Sequence, residues 1–161
     1  MFRWISSASL GAASLFLVAA LTDGPSLRAG FDVAHLEVKR MTELKADSRG
    51  HFITTATVEG TSLMVMVDTG ASAVALSYED ADRIGLRPYS LVYNVPVSTA
   101  NGITQAARVT LRRVEVDGVT VRDVDGLVLP EGVMHGTLLG MSYLGRLRSF
   151  KVEDGVLSLS D

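Results

Sequence analysis

The sequence contains no cysteine and few aromatic residues. Without cysteine, the 161-residue chain forms no disulfide, no zinc–thiolate site and no thiol nucleophile. Aromatic residues make up only 6% of the chain, and the net charge is −3 with the basic residues scattered rather than clustered. Nucleic-acid binding normally needs basic patches and stacking aromatic side chains. We therefore expect no nucleic-acid partner.

The sequence also lacks the spacing of a metal site and of a serine hydrolase. Its three histidines, His35, His51 and His135, are widely separated, whereas metal ligands usually recur at short spacings. Ser72 lacks the Gly-x-Ser-x-Gly elbow of a hydrolase nucleophile. We expect neither a metal nor a cofactor.

An apolar segment opens the chain. Residues 4–21 carry no charge, follow Arg3 and end in a polar break at residues 22–25. The apolar part of a signal peptide reaches about 15 residues and a membrane-spanning helix needs about 20, so the segment fits either, with a buried core helix as the third alternative. We predict that residues 1–28 are a membrane anchor or signal segment. The basic residue in front of it places the rest of the chain on the periplasmic or outer side of a membrane.

The remainder of the chain predicts one all-β domain. We assign residues 29–49, which are mixed and charged, to a linker, with a short helix as the alternative, and residues 50–161 to the folded domain. Short β-type runs alternate with turn signals at Glu59-Gly60, Asn101-Gly102, Asp117-Gly118, Asp125-Gly126 and Asp154-Gly155. Residues 77–85 predict a helix with Ser77 as its N-cap and Gly85 at its end. A second short helix is predicted over residues 141–147.

One carboxylate stands between two apolar runs. The stretch LMVMVDTGASAVAL, residues 63–76, places Asp68 at the end of an apolar strand and before Thr69 and Gly70. This pattern predicts a strand leading into a tight turn, with Asp68 at the edge of the core. Burying a carboxylate costs stability unless it is paired or hydrogen-bonded. Asp-Thr-Gly is also a common turn composition, so a purely structural turn is an alternative.

The longer pattern resembles the active-site loop of the retropepsin-like aspartic proteases. That loop has two apolar residues followed by Asp-Thr-Gly-Ala-Ser, and MVDTGAS fits it letter for letter. The resemblance extends from about residue 50 to the end and is closest to bacterial members with an N-terminal membrane segment. VSTANGIT, residues 97–104, stands where the family has its flap, here Ser98, Thr99, Ala100, Asn101 and Gly102. GTLLGMSYLG, residues 136–145, resembles the family's second strand-turn element, with Leu138, Leu139 and Gly140 beside the loop.

The resemblance implies a fold and a reaction. The fold would be all-β, a retropepsin-like closed β-barrel with one or two short helices, acting as a homodimer. Asp68 would be catalytic, within an active-site loop completed by Thr69, Gly70, Ala71 and Ser72. In the family, the counterpart of Thr69 bonds across the interface, the Gly70 amide steadies the carboxylates, and the counterpart of Ser72 bonds the outer carboxylate oxygen.

The expected activity is that of an aspartic endopeptidase acting on an extended polypeptide. Two carboxylates that share a proton can activate water and protonate the leaving amine. Because the chain has one such loop, a second copy would supply the other carboxylate, and the apolar final strand VLSLS is expected to pair at the interface. The alternative is a retropepsin-like dimeric protein-binding module that retains Asp68 but has little or no proteolysis. The flap departs from the family pattern, because Ser-Thr-Ala-Asn-Gly stands in place of a glycine-rich tip, so the family's flap contacts and substrate preference are not carried over. A third reading is an exported β-domain whose loop is only structural.

Overall fold

The structure is a computed structural model and describes residues 40–99 and 102–161. The described chain is almost entirely β-structure, with two short helices and one 3-10 turn. The elements are β1 (Met41–Lys45), β2 (Ile53–Val58), β3 (Thr61–Val67), β4 (Val74–Leu76), α1 (Tyr78–Arg83), a 3-10 turn (Pro88–Ser90), β5 (Tyr93–Thr99), β6 (Gly102–Val116), β7 (Val119–Val128), β8 (Thr137–Leu139), α2 (Met141–Leu144), β9 (Ser149–Glu153) and β10 (Val156–Ser160). The predicted all-β class with short helices is confirmed.

Six strands close into a barrel. They follow the order β2-β3-β8-β4-β7-β6, and β6 pairs back onto β2. Closure removes the free edges that an open sheet would expose. The strand β5 pairs with β6 beyond this ring, so β5 is an edge strand that projects from the barrel. The predicted closed barrel is confirmed.

The barrel is filled by alternating aliphatic side chains. Val114, Val124 and Leu139 are fully buried and come from three different strands of the ring. Tyr143, on α2, is also fully buried, and its hydroxyl donates a hydrogen bond to the Val119 carbonyl at 2.9 Å. Burial raises the pKa of Tyr143 well above its ordinary value, so this phenol stays a neutral donor.

Three of the predicted hairpin turns are confirmed and one is wrong. In each confirmed turn both central residues have positive φ, as two-residue hairpins require, and the turns lie at Glu59-Gly60, Asp117-Gly118 and Asp154-Gly155. At Asp125 and Gly126, however, β7 continues without a turn. Gly126 serves close packing instead, because a Cβ there would lie 2.9 Å from Val109 Cγ2. Asn101 lies outside the described residues.

The predicted linker over residues 29–49 is wrong for Met41–Lys45. This segment forms β1 and pairs antiparallel with β10 along its whole length. Thr42 and Leu44 turn inward while Glu43 and Lys45 stay exposed, which is the alternation of a half-buried strand. The charged residues on one face concealed that alternation. The folded domain therefore begins earlier than residue 50.

The final strand does not have the predicted role at an interface. β10 is the central strand of a three-stranded sheet in the order β1-β10-β9. Both of its backbone edges are occupied within the chain, and Leu157 and Leu159 are buried in the core. Pairing of β10 with a second chain is therefore excluded by its own neighbours.

The two helices lie where the sequence predicts them. The Ser77 side chain caps α1 by accepting a hydrogen bond from the Asp80 amide at 3.1 Å. Gly85 follows that helix with φ +81°. The second helix is shorter than predicted and ends at Leu144.

The predicted anchor, residues 1–28, lies outside the described residues. Between residues 40 and 161, as far as the structure describes them, no helix is long and apolar enough to cross a membrane.

Candidate active site

Asp68 lies directly after β3, where the chain leaves the barrel. Its carboxylate is partly buried, and Oδ1 accepts a hydrogen bond from the Gly70 amide at 2.8 Å. The turn is closed by a bond from the Ala71 amide to the Asp68 carbonyl at 3.3 Å. A Cβ at Gly70 would lie 3.1 Å from Asp68 Oδ1, so glycine allows the backbone to approach the carboxylate. The predicted tight turn at the edge of the core is present.

The strand β8 lies beside this loop and hydrogen-bonds to it. It runs parallel to β3, with Leu139 opposite Val67, and the Leu139 carbonyl accepts a bond from the Asp68 amide at 3.2 Å. The Met141 amide donates to the Ala71 carbonyl at 2.8 Å. These contacts place Leu138, Leu139 and Gly140 beside the loop.

Gly140 is the point of closest approach between the loop and its support. A Cβ on Gly140 would lie 2.1 Å from the Ala73 carbonyl oxygen and 2.7 Å from the Ala71 carbonyl oxygen. Both neighbours are backbone atoms, which cannot rotate away. Only glycine fits this position.

A cleft of about 660 Å³ opens over Asp68. Most of its lining is apolar, and the larger apolar side chains are those of Leu127, Leu129, Val133, Met134 and Leu138. Among the described residues that line it, Asp68 is the one ionisable side chain. The cleft is therefore mostly apolar with a single carboxylate in its lining, which is a common composition for a site that binds organic ligands or peptides.

The predicted flap lies at the rim of this cleft. Ser98 and Thr99 end β5 and line the cleft, and Gly102 begins β6. The hairpin register pairs Thr99 with Gly102, and the Thr99 hydroxyl donates to the Gly102 carbonyl at 2.8 Å. Ala100 and Asn101 lie outside the described residues.

The side chains of two loop residues have no hydrogen-bond partner in the described part of this single chain. Thr69 and Ser72 are exposed, and neither side chain hydrogen-bonds to another described residue. The bond expected from Ser72 to the Asp68 carboxylate is therefore not formed here. Gly70, by contrast, contacts the carboxylate as expected.

The histidines of the described chain do not form a cluster. His51 faces Asp47 in an exposed turn, and His135 is exposed in the connection before β8, while His35 lies outside the described residues. Within residues 40–99 and 102–161, no group of three or more His, Asp or Glu side chains could hold a metal ion.

The chain matches a known protein family. Residues 54–146, more than half of the chain, match the family described as "gag-polyprotein putative aspartyl protease". The chain belongs to this retropepsin-like aspartyl protease family. A solved retropepsin-like aspartic protease from Rickettsia conorii is 34% identical, with a TM-score of 0.69, over 76% of this chain and 91% of that one. The EIAV protease in complex with the inhibitor HBY-793 is 20% identical, with a TM-score of 0.53, over 64% of this chain and 93% of that one. This second likeness shows the fold alone.

Curated relatives of this retropepsin-like chain carry no described activity. An uncharacterized protein of the cobV 5′ region in Sinorhizobium sp. is 46% identical over 112 residues, which is 70% of this chain and 48% of that protein. An uncharacterized protein of Rickettsia prowazekii (strain Madrid E) is 38% identical over 111 residues, 69% of this chain and 47% of that protein. The chain thus spans about half the length of the curated relatives it matches.

Sequence reasoning missed a buried polar cluster that attaches α1 to β8 in the retropepsin-like barrel. The Thr137 hydroxyl donates to Asp80 Oδ2 at 2.8 Å, and Arg83 Nη1 donates to Asp80 Oδ1 at 3.0 Å. The amide of Ser77 donates to the Gly136 carbonyl at 3.2 Å. The sequence assigns Asp80 only to the first turn of a helix, because its partner Thr137 is distant along the chain.

Sequence reasoning also missed Ser142, on α2. The Val74 amide donates to Ser142 Oγ at 3.0 Å, and that hydroxyl donates to the Asp125 carbonyl at 2.7 Å. Ser142 thereby joins α2 to β4 and β7 close to the active-site loop. A single serine in a short apolar helix gives no signal of this contact.

Proposed function

We propose that this chain is an aspartic endopeptidase whose two catalytic carboxylates are Asp68 from each of two copies. The observation that carries the proposal is the position of Asp68, in the lining of a mostly apolar cleft whose other described lining residues are not ionisable. A single carboxylate cannot act at once as the base for water and as the acid for the leaving group. A second carboxylate is needed, and the described cleft of one chain does not contain it.

The reaction follows from a pair that shares one proton. The ionised carboxylate removes a proton from water, and the resulting hydroxide attacks the peptide carbonyl carbon while the protonated carboxyl hydrogen-bonds to the carbonyl oxygen. The carboxyl that took the proton from water then donates it to the amide nitrogen, and the carbon–nitrogen bond breaks to give a carboxylic acid and an amine, which leaves the pair with one shared proton again. In this scheme the Gly70 amide holds one Asp68 carboxylate in position through its 2.8 Å bond.

The exposed part of the loop supports a homodimer. Thr69, Gly70 and Ser72 are exposed in the single chain although they adjoin a partly buried carboxylate. A two-fold axis near this loop would bring each Asp68 against its copy, because an isologous interface repeats the same surface on both sides. Thr69 and Ser72 would then find partners that the described part of one chain does not provide.

The shape of the cleft supports an extended polypeptide as substrate. The last residues of the edge strand β5 line the cleft, and the outer edge of β5 is unpaired among the described strands. An extended peptide can hydrogen-bond to such an edge while its side chains enter the apolar cleft. Ser98 and Thr99 would form the described part of the flap that covers it.

We also propose that residues 1–28 anchor or export the domain. The uncharged run over residues 4–21 supports this proposal. The protease domain would then act on the periplasmic or outer side of a membrane.

The test is cleavage by the full chain carrying Asp68→Asn. The native protein in detergent is incubated with a denatured protein mixture, and new termini are mapped by mass spectrometry. We expect cleavage to fall by about 10²- to 10⁴-fold in the variant, because asparagine neither accepts nor donates the catalytic proton. Asp82→Asn, at an exposed position on α1, is the matched control and should cleave normally.

Equal cleavage by Asp68→Asn and native protein, at matched folded fractions, would refute the peptidase proposal. If neither protein cleaves, while both retain the same polypeptide with the same affinity, the chain is the dimeric binding module instead.

A further inference from the structure

The hydroxyl of Ser142 links the backbone of β4 to that of β7. These strands are parallel, with Val74 opposite Gly126 and Leu76 opposite Val128. The Leu129 amide donates to the Leu76 carbonyl at 3.0 Å, which shows that the backbone groups of Leu76 point toward β7. Two residues earlier, the Val74 amide points the same way, and parallel geometry directs it to the carbonyl of Asp125.

Ser142 contacts the same two groups through its side chain. The Val74 amide donates to Ser142 Oγ at 3.0 Å, and Ser142 Oγ donates to the Asp125 carbonyl at 2.7 Å. This hydroxyl bridge thus ties the first residue of β4 to β7 and both strands to α2.

The bridge lies at the end of the active-site loop. Val74 begins β4, so the loop from Asp68 to Ala73 ends at the bridged amide. The neighbouring Met141 amide already binds the Ala71 carbonyl at 2.8 Å, which makes Ser142 a second attachment of α2 to this loop. One residue beyond the bridge, Ala75 and Leu127 face each other and both line the cleft.

We propose that Ser142 is a positioning residue for the proposed cleavage. Its hydroxyl attaches the first residue of β4 to β7 and to α2, and this attachment fixes where the loop places Asp68 relative to the cleft. The catalytic part of this inference rests on the proposed peptidase function. The structural part, a change in the loop when the hydroxyl is lost, does not.

Loss of the hydroxyl should leave the fold intact. The helix α2 is also anchored by Tyr143 and Leu144, which are fully buried. In Ser142→Ala, the Val74 amide and the Asp125 carbonyl lose their link to α2, so the end of the loop is free to shift. A displacement of about 1 Å at a reacting group can cost about 10²-fold in rate.

The experiment measures both kinetics and loop structure in the full chain. For Ser142→Ala we expect kcat to fall by about 10- to 100-fold, with KM changed less than about threefold, because the loop moves and the cleft persists. The backbone amide NMR signals of Gly70, Ala71 and Val74 should shift. Ser142→Thr keeps the hydroxyl and should restore kcat and these signals, while Ser149→Ala, at an exposed serine of β9, should match the native protein.

The outcomes separate this inference from the proposed function. If native protein cleaves and Ser142→Ala cleaves equally fast with unshifted amide signals, the inference is overturned and the peptidase proposal stands. If native protein does not cleave, the peptidase proposal fails, and the amide NMR signals then test the structural part of the inference. Unshifted Gly70 and Ala71 signals in Ser142→Ala overturn the inference, and shifted signals support it. Should Ser142→Ala not fold, Ser142→Cys is measured in its place, and unshifted signals there overturn the inference as well.

Discussion

Replacement of Gly140 by alanine tests how β8 supports the active-site loop. The added Cβ would lie 2.1 Å from the Ala73 carbonyl oxygen, and real Cβ atoms essentially never approach a neighbour closer than 3.0 Å. The carbonyl must therefore retreat by roughly 0.9 Å, and the loop that follows Asp68 must move with it. Overpacking of this kind costs about 1–3 kcal/mol of stability. A shift of about 1 Å near the reacting carboxylate should lower kcat/KM by about 10²-fold.

The assay compares Gly140→Ala with Gly155→Ala. Gly155 lies in the turn between β9 and β10 at φ +74°, with no atom within 4 Å of a new Cβ. Alanine there should cost about 1–2 kcal/mol through backbone strain but leave the loop in place. Urea denaturation should show a similar loss of stability for both variants, while cleavage of a protein substrate should fail only for Gly140→Ala. Native kcat/KM in folded Gly140→Ala would refute the argument that β8 positions the loop.

Two further predictions concern acid stability and targeting. Burial of the Glu59 carboxylate raises its pKa, but hydrogen bonds from the Arg112 side chain and the Arg113 amide outweigh burial, so the pKa lies below its ordinary value of 4.5. Ionised Glu59 therefore stabilises the fold fully above pH 4.5 and loses this effect as the pH falls through its folded pKa. Glu59→Gln should lower the free energy of unfolding by about 1–3 kcal/mol at pH 7 and by progressively less below pH 4.5. Urea titrations at several pH values measure this difference. An unchanged difference in acid would contradict this. Residues 1–50 fused to a reporter active only outside the cytoplasm should give signal, and an inactive reporter would count against export.

Local patterns in the sequence account for much of the site. The turn at Asp68 is predictable because an apolar strand, Thr69 and a glycine follow one another directly in the chain. The approach of Gly140 to the loop is expected only through family resemblance, because its contacts at Ala71 and Ala73 lie about seventy residues away. Ser142 and the Asp80–Thr137 pair are missed for the same reason, since single polar residues give no sign of distant partners.

The errors have physical causes of their own. Glycine occurs both in turns and where two segments pack closely. The sequence pattern assigns Gly126 to a turn, but this glycine allows close packing inside β7. β1 is missed because Glu43 and Lys45 lie on its solvent face and make the segment look like a linker. The apolar pattern of β10 correctly indicates burial, but it cannot tell that β1 and β9 occupy both of its edges.

The central claim is that one active site needs Asp68 from two chains. Mixing native chains with increasing amounts of Asp68→Asn chains, after conditions that allow subunit exchange, tests it directly. If the site is shared, native chains are drawn into mixed dimers with one carboxylate, and a ninefold excess of the variant should reduce cleavage per native chain to about one tenth. Cleavage per native chain that stays constant across the titration, with exchange verified by a size or label measurement, would contradict the shared site.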